Sequence, residues 1–289
     1  MKRNEFILRS ALGSVAGIAL SASANARTTS TYDKLLEPIG FNHIPNKEYK
    51  SMNSVLHQAA TRGHADHGWL KSHHTFSFAN YYNPERTHFG VLRVLNDDSV
   101  AKGMGFGKHP HDNMEIISIP LEGDLEHKDS MGNLAVIREG DIQVMSAGTG
   151  VSHSEFNRST DMEVKFLQIW IFPNKKNVKP RYDQRPIREM AKQNEFYQIL
   201  SPDPDDSGVW IHQDAWFHMG EFDAGTTIDY QLKKAGNGVY VFIIDGDVSV
   251  NDQPLNKRDG YGIWDVSEIT FTSINKSRVL LMEVPMQIG

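Results

Sequence analysis

Two histidines stand two residues apart in GKHPHDNMEIISIPLEG, His109 and His111, at the front of an apolar, β-branched run. Further on, GTGVSHSEFN carries a second doublet, His153 and Glu155. On a β-strand, residues two apart point to the same side. Each doublet would therefore aim both of its side chains into one space, with Pro110 and Ser154 turned away. Two such strands side by side could close four side chains around a single ion. Three imidazoles and one carboxylate form a nitrogen and oxygen site of borderline hardness, suited to Fe(II), Mn, Ni, Co, Cu or Zn. An octahedral ion held by these four alone keeps positions for water, substrate or dioxygen, which is a catalytic arrangement. Glu115, four residues after His111 and at the same strand parity, is a competing carboxylate, with a salt bridge or a supporting position behind the ligands as its other readings.

The elements that would position these residues are strands. Short alternating or β-branched runs recur as FGVLRVLN, MEIISIPL, LAVIREG, DIQVMSAG and EVKFLQIWIF, punctuated by Gly, Asn and Asp clusters such as LEGDLEHKDSMGN. Many short strands with frequent turn signals predict an antiparallel sandwich or barrel, an all-β protein. Helical periodicity is weak outside PIREMAKQ. A proline- and charge-rich stretch, PNKKNVKPRYDQRPI, separates two strand-rich halves and reads as the domain junction. Beyond it, NGVYVFIIDGDVSV echoes EIISIPLEGDLEH: an apolar strand ends in an acidic residue, Gly and Asp in both (Glu122–Gly123–Asp124; Asp245–Gly246–Asp247). The echo is a divergent internal repeat, two copies of one barrel design.

The chain of 289 residues has a formal net charge of −6 and no cysteine. Mild acidity without a long basic run argues against a nucleic-acid partner. The lack of cysteine removes disulfides, zinc–thiolate sites, iron–sulfur clusters and thiol catalysis. The first residues read as an address: a basic MKRNEFILRS, an apolar ALGSVAGIAL and an Ala-x-Ala ending predict an export signal cut after Ala26 and a bacterial periplasmic location. RNEFIL is also similar to the twin-arginine motif, with Asn4 in place of the second arginine. No other segment reads as a membrane span. The expected organisation is a signal at 1–26, a polar tether at 27–48, a metal-binding barrel at 49–176, and a linker with a second, metal-free barrel at 177–289.

These residues resemble the cupin barrels. Gly103, His109, His111, Glu115 and Gly123 follow the order of the first cupin motif, and Gly140, Gly148, His153 and Asn157 that of the second, with Ser146 where proline is usual. More specifically, HGWLKSHHTFSFANYYNP, GFGKHPHDNMEIISIPLEG, EHKDSMGN and QVMSAGTGVSHSEFN resemble the pirin family, particularly its bacterial quercetin-dioxygenase-like branch. The resemblance runs from about Leu56 to the C-terminus. It implies two stacked cupin barrels, with one iron per chain held by His109, His111, His153 and Glu155 in the first. Counting back from Gly246 puts Leu232 and Lys234 at the histidine positions of the second barrel, and neither is a plausible ligand. The resemblance further implies cleavage of a flavonol such as quercetin with dioxygen, Glu155 accepting the substrate's hydroxyl proton. Phe76, Phe78, Phe106 and Met145 are the candidate apolar wall around that substrate, and His74 a candidate to orient a ligand by hydrogen bond. Two other readings are an iron-dependent redox-sensing or interaction module, and a bicupin whose metal is purely structural.

Overall fold

A computed structural model of the protein describes residues 52–289. The expected signal, tether and first residues of the first barrel lie outside these. The described chain is built of strands, arranged as two sandwiches that each pair a seven-stranded with a four-stranded sheet. In the first, the large sheet runs in the order Arg181–Pro186, Asp141–Ser146, Glu115–Glu122, Val164–Ile171, Leu92–Val100, Leu70–His74 and Gly63–Asp66. Its small sheet runs Gly105–His111, Val151–Asn157, Leu125–Asp129, Leu134–Ile137.

The second sandwich repeats this order. Its large sheet runs Asn53–His57, Gly260–Trp264, Asn237–Asp245, Ser277–Pro285, Trp216–Phe222, Phe196–Ser201, Val209–Trp210, and its small sheet Thr227–Gln231, Glu268–Ser273, Val248–Val250, Gln253–Leu255. The repeated acidic-Gly-Asp corners mark the same turn in both: Gly123 and Gly246 sit at φ +77° and +84°, a left-handed conformation that glycine adopts without steric cost.

Strand pairing does not follow the expected 176/177 boundary. Within the proline-rich junction, Arg181–Pro186 is a strand, paired to Asp141–Ser146 at the edge of the first large sheet. Conversely, Asn53–His57 precedes the first sandwich in sequence but pairs with Gly260–Trp264 of the second. Its end is pinned there by hydrogen bonds from the Ala59 amide to Asp259 Oδ1 (2.7 Å) and between His57 Nδ1 and Tyr240 Oη (2.8 Å). The helical pattern in PIREMAKQ forms a single 3-10 turn, Arg188–Met190.

Both faces of Glu115–Glu122 are buried, which is why its sequence is a continuous apolar run rather than an alternating one. Ile117 and Ile119 point outward with Leu167 and Ile169 into a core shared with Phe217, Met219, Phe242, Leu280 and Met282 of the second sandwich. The largest apolar cluster thus lies between the two large sheets. That leaves the interior of each sandwich free to differ.

Candidate metal centre

The two doublets lie on neighbouring antiparallel strands, with His153 directly opposite His109 and Val151 opposite His111. A bulge between His153 and Glu155 brings Glu155 opposite Phe106. Strand parity therefore does what the sequence pattern predicts for the histidines. One ligand atom from each of His109, His111 and His153 falls within 4.8 Å of the others, and His111 Nε2 and His153 Nε2 approach to 3.0 Å. His109 Nδ1 lies 2.8 Å from the Gly107 carbonyl oxygen. Only a protonated Nδ1 can donate to that carbonyl, which in the neutral ring leaves Nε2 as the free lone pair.

Burial, reinforced by the neighbouring His109, pushes the pKa of His111 down to about 3. His153 is pushed down to about 2, by burial first and then by His109, His111 and His127. Both rings are neutral near pH 7, with lone pairs ready to coordinate. Imidazole nitrogens converging in this state fit a divalent transition metal. An open groove of about 360 Å³, bordered by Pro110, His111, Thr149 and Ser152, runs past the His111 end of the cluster.

Glu155 belongs to a second group, with His127 and His153, so that the two groups share His153. His127 faces Glu155 from the adjacent Leu125–Asp129 strand. The Glu155 carboxyl accepts hydrogen bonds from Ser118 Oγ on Oε1 and from Gln168 Nε2 on Oε2, each 3.0 Å. Burial raises its pKa, and the nearby imidazoles and these two hydrogen bonds oppose that rise.

Ser118 and Gln168 are two members of a row that crosses the inner face of the large sheet. His74, Asn96, Gln168, Ser118, Gln143 and Gln184 lie opposite one another on successive strands. In this row His74 Nδ1, Asn96 Oδ1, Gln143 Nε2 and Gln168 Oε1 are buried without a hydrogen-bond partner, as is Trp170 Nε1 beside it. Polar atoms of this kind are costly in a dry core, and they mark an interior made for polar occupants. Asp98, on the same face and bonded by Ser72 Oγ, is pushed up to about 7 by burial.

The remaining expected residues divide. Met145 is fully buried on the inner face, opposite Ile116 and Tyr182. Phe78 meets Trp170 edge-on (5.4 Å between ring centroids), and Trp170 in turn meets His111 (5.0 Å). Phe106 stands opposite Glu155 but packs toward Trp69 and Phe166, half-buried against a separate apolar cluster with Leu70 and Val100. Phe76 is not part of a wall here. Its ring packs on Tyr240 and His57 in the core between the sandwiches.

Glu115 also departs from expectation. The Asp112–Met114 turn, with Asn113 at φ 44°, resets the parity after His111. Glu115 consequently faces away from the imidazoles, accepting a hydrogen bond from Ser146 Oγ (2.6 Å) near Arg181, and burial pushes it up to about 7. His74 takes its place in the polar row with its ring against Phe78 and Tyr81. It does not orient a cluster imidazole.

Sequence reasoning missed Ser118, Gln168, Trp170, His127 and Asp129. For the last two a signal existed. His127 and Asp129 in EHKDSMGN form a third doublet at strand parity, the same pattern that identified the other two.

Residues 55–171 match the Pirin family model, and residues 198–284 match the model of the quercetinase C-terminal cupin domain. The chain is 43% identical over 230 residues to a quercetin 2,3-dioxygenase of Escherichia coli K12, covering 80% of this chain and 98% of that one. It is 41% identical to a putative quercetin 2,3-dioxygenase of Pseudomonas aeruginosa, over 77% of this chain and 95% of the other. Among solved structures, it resembles the bacterial pirin YhhW of Escherichia coli in complex with nickel(II), with a TM-score of 0.77 and 42% identity, covering 81% of this chain and 99% of that one.

Proposed function

The chain belongs to the pirin family, and from that premise we propose that it is a metal-dependent dioxygenase that cleaves flavonols such as quercetin. The observation that carries this reading is the convergence of His109, His111 and His153 beside a buried Glu155 whose two carboxyl oxygens are held by Ser118 and Gln168. His109, His111, His153 and Glu155 would hold the ion, Fe(II) being the first choice from the family resemblance. When bound, a divalent ion supplies Lewis acidity toward an oxygen-donor substrate and a place for dioxygen to meet it.

The residues of the chain do the rest. Glu155 accepts the proton of the flavonol hydroxyl, a transfer that a carboxylate within hydrogen-bond reach performs as general base. Ser118 and Gln168 keep that carboxyl oriented while its charge changes. Trp170, Phe78 and Met145 offer flat or deformable apolar surface to an aromatic substrate. The unpartnered Trp170 Nε1 and the polar row supply donors and acceptors for the hydroxyls of such a molecule.

The test is to add purified protein, loaded in turn with Fe, Mn, Ni, Co or Cu, to quercetin under air while following flavonol absorbance and oxygen uptake. Turnover with at least one ion is expected, and none with any of them removes the flavonol assignment. We also read residues 1–26 as an export signal that delivers the protein to the periplasm. N-terminal sequencing of the mature protein checks this.

A further inference from the structure

The Leu125–Asp129 strand places one more histidine and one more carboxylate behind the imidazole cluster. Both side chains are fully buried. Asp129 is fixed by the turn that follows it. Its Oδ1 accepts the amides of Met131 (2.9 Å) and Asn133 (3.0 Å), and its Oδ2 accepts Asn133 Nδ2 (2.8 Å). The same Oδ2 lies 3.2 Å from His127 Nε2. On the other side of the His127 ring, Nδ1 lies 3.5 Å from His153 Nδ1. The Tyr182 ring covers His127 at 4.8 Å.

The hydrogen-bond roles along this line follow one another. A carboxylate only accepts, so His127 Nε2 carries a proton. In a neutral ring His127 Nδ1 is then an acceptor, and the proton between the two imidazoles belongs to His153 Nδ1. His153 Nε2 is left bare, and it is this atom that faces His111 Nε2. We propose that Asp129 and His127 are positioning residues that lock His153 in the tautomer presenting a bare Nε2 to the metal. The relay rests on the reading of His109, His111 and His153 as a metal site. It gives a role to EHKDSMGN, in which Asn133 and the Gly132 turn (φ +98°) hold the carboxylate that starts the relay. Without it, His153 is free to carry its proton on Nε2, and a metal must displace that proton or wait for the minor tautomer. Supporting residues of this kind cost about 10–100-fold in metal affinity when lost.

The experiment titrates metal-free, full-length protein with Ni(II) alone by calorimetry and compares three variants. H127L removes the relay, D129N puts an amide donor where His127 needs an acceptor, and H127Q keeps one acceptor and one donor on a planar group. Ni(II) affinity is expected to fall about 10–100-fold in H127L and D129N and to stay within a few-fold of wild type in H127Q. A residue that merely fills space would give Leu and Gln the same result. Nitrogen-15 spectra of the histidine rings in metal-free wild type read the tautomer directly and require no variant to fold. They are expected to show His153 protonated on Nδ1.

Unchanged affinity in H127L, equal losses in H127Q and H127L, or a His153 proton on Nε2 would each overturn the relay. Equal losses would instead make His127 itself a ligand, within its group with His153 and Glu155. If wild type binds no Ni(II), the metal-site reading fails, and the tautomer in the nitrogen spectra still decides the relay.

Discussion

The two sandwiches share a strand order but not an interior, and the difference is legible position by position. Gly123 and Gly246, at the same corner, set the correspondence. Strand pairing then carries it across each sheet. The polar row His74, Asn96, Gln168, Ser118, Gln143, Gln184 of the first sandwich has its counterpart in Gln198, His218, Leu281, Val241, Tyr261, Leu56 of the second. Glu155 and His127 correspond to Phe271 and Val250, paired in the same way across their strands. His153 and His109 correspond to Ile269 and Tyr230. Pairing therefore corrects the alignment by counting. Tyr230 and Leu232, rather than Leu232 and Lys234, stand where the first sandwich has His109 and His111.

Val241, Leu281, Ile269, Phe271 and Val250 belong to one apolar cluster that fills the second sandwich. Its chief buried carboxylate, Glu283, is satisfied by Tyr230, Asn237 and two backbone amides, as a structural group should be. The same architecture thus encloses mainly apolar side chains in one half, where His218 Nδ1 is the unpartnered atom of the corresponding row, and several unsatisfied polar atoms in the other. Chemistry concentrates where the fold tolerates that cost, and the outer core between the large sheets supports both.

The sharpest way to break this contrast is to truncate equivalent residues. His153→Ala should lower metal affinity by more than the roughly 100-fold that a supporting residue costs, and abolish turnover, with the metal-free protein still folded. Ile269→Ala, at the same place in the second sandwich, should destabilise by about 2–5 kcal/mol through lost burial and a cavity. Its metal affinity should remain that of wild type. Calorimetric metal titration and urea unfolding of both variants check this, and a metal defect in Ile269→Ala would end the division of labour.

A reciprocal exchange is a milder test. Leu281→Gln places an amide in an apolar interior, losing side-chain transfer energy and burying unpaired groups, for roughly 3–5 kcal/mol in urea unfolding. Gln168→Leu makes the opposite change. It removes an already unpartnered Oε1 together with the donor to Glu155, so these terms partly offset and the metal-free fold should move by less than about 1.5 kcal/mol. Its turnover should nonetheless fall at least about tenfold, the effect of one lost orienting hydrogen bond, about 1.4 kcal/mol in the barrier. Comparable destabilisation in both variants would mean that the two interiors are equally dry.

The sequence alone carries a definite part of this picture. Because strand parity is two, the His-x-His and His-x-Glu doublets announce a shared face without knowledge of what lies opposite. The recurrence of the acidic-Gly-Asp corner announces the repeat, since a left-handed turn there needs glycine. What parity cannot supply is pairing. Ser118 and Gln168 hold Glu155 from strands far away in sequence, and nothing in EIISIPLE or KFLQIWIF distinguishes the inward residue from its neighbour when both faces are buried. Phe76 fits the wall by sequence for the same reason, since an aromatic residue suits either core. Glu115 does not share the face of His111 because a three-residue turn between them resets the alternation. The placement of Asn53–His57 in the second sandwich depends on long-range pairing that SMNSVLHQA does not encode locally.

His218 offers the finest test, because it is a buried imidazole beside the apolar cluster that fills the second sandwich. It stands where the first sandwich has Asn96, beside the Tyr230 ring, with Nδ1 unpartnered. Burial first, and then Lys233, push its pKa down to about 3, against 6.5 in the unfolded chain. The unfolded state therefore binds a proton before the folded state does. This group costs nothing above pH 6.5 and destabilises progressively as pH falls from 6.5 toward 3, by about 1.4 kcal/mol per pH unit. Between pH 7.5 and 5 that amounts to about 2 kcal/mol. His57 and His74, also lowered by burial, lose stability over part of the same range, so the contribution of His218 is a difference between two proteins. In metal-free protein, urea unfolding of His218→Leu should lose about 2 kcal/mol less than wild type between those two pH values. An identical acid loss would place water at the His218 ring and make the second interior as wet as the first.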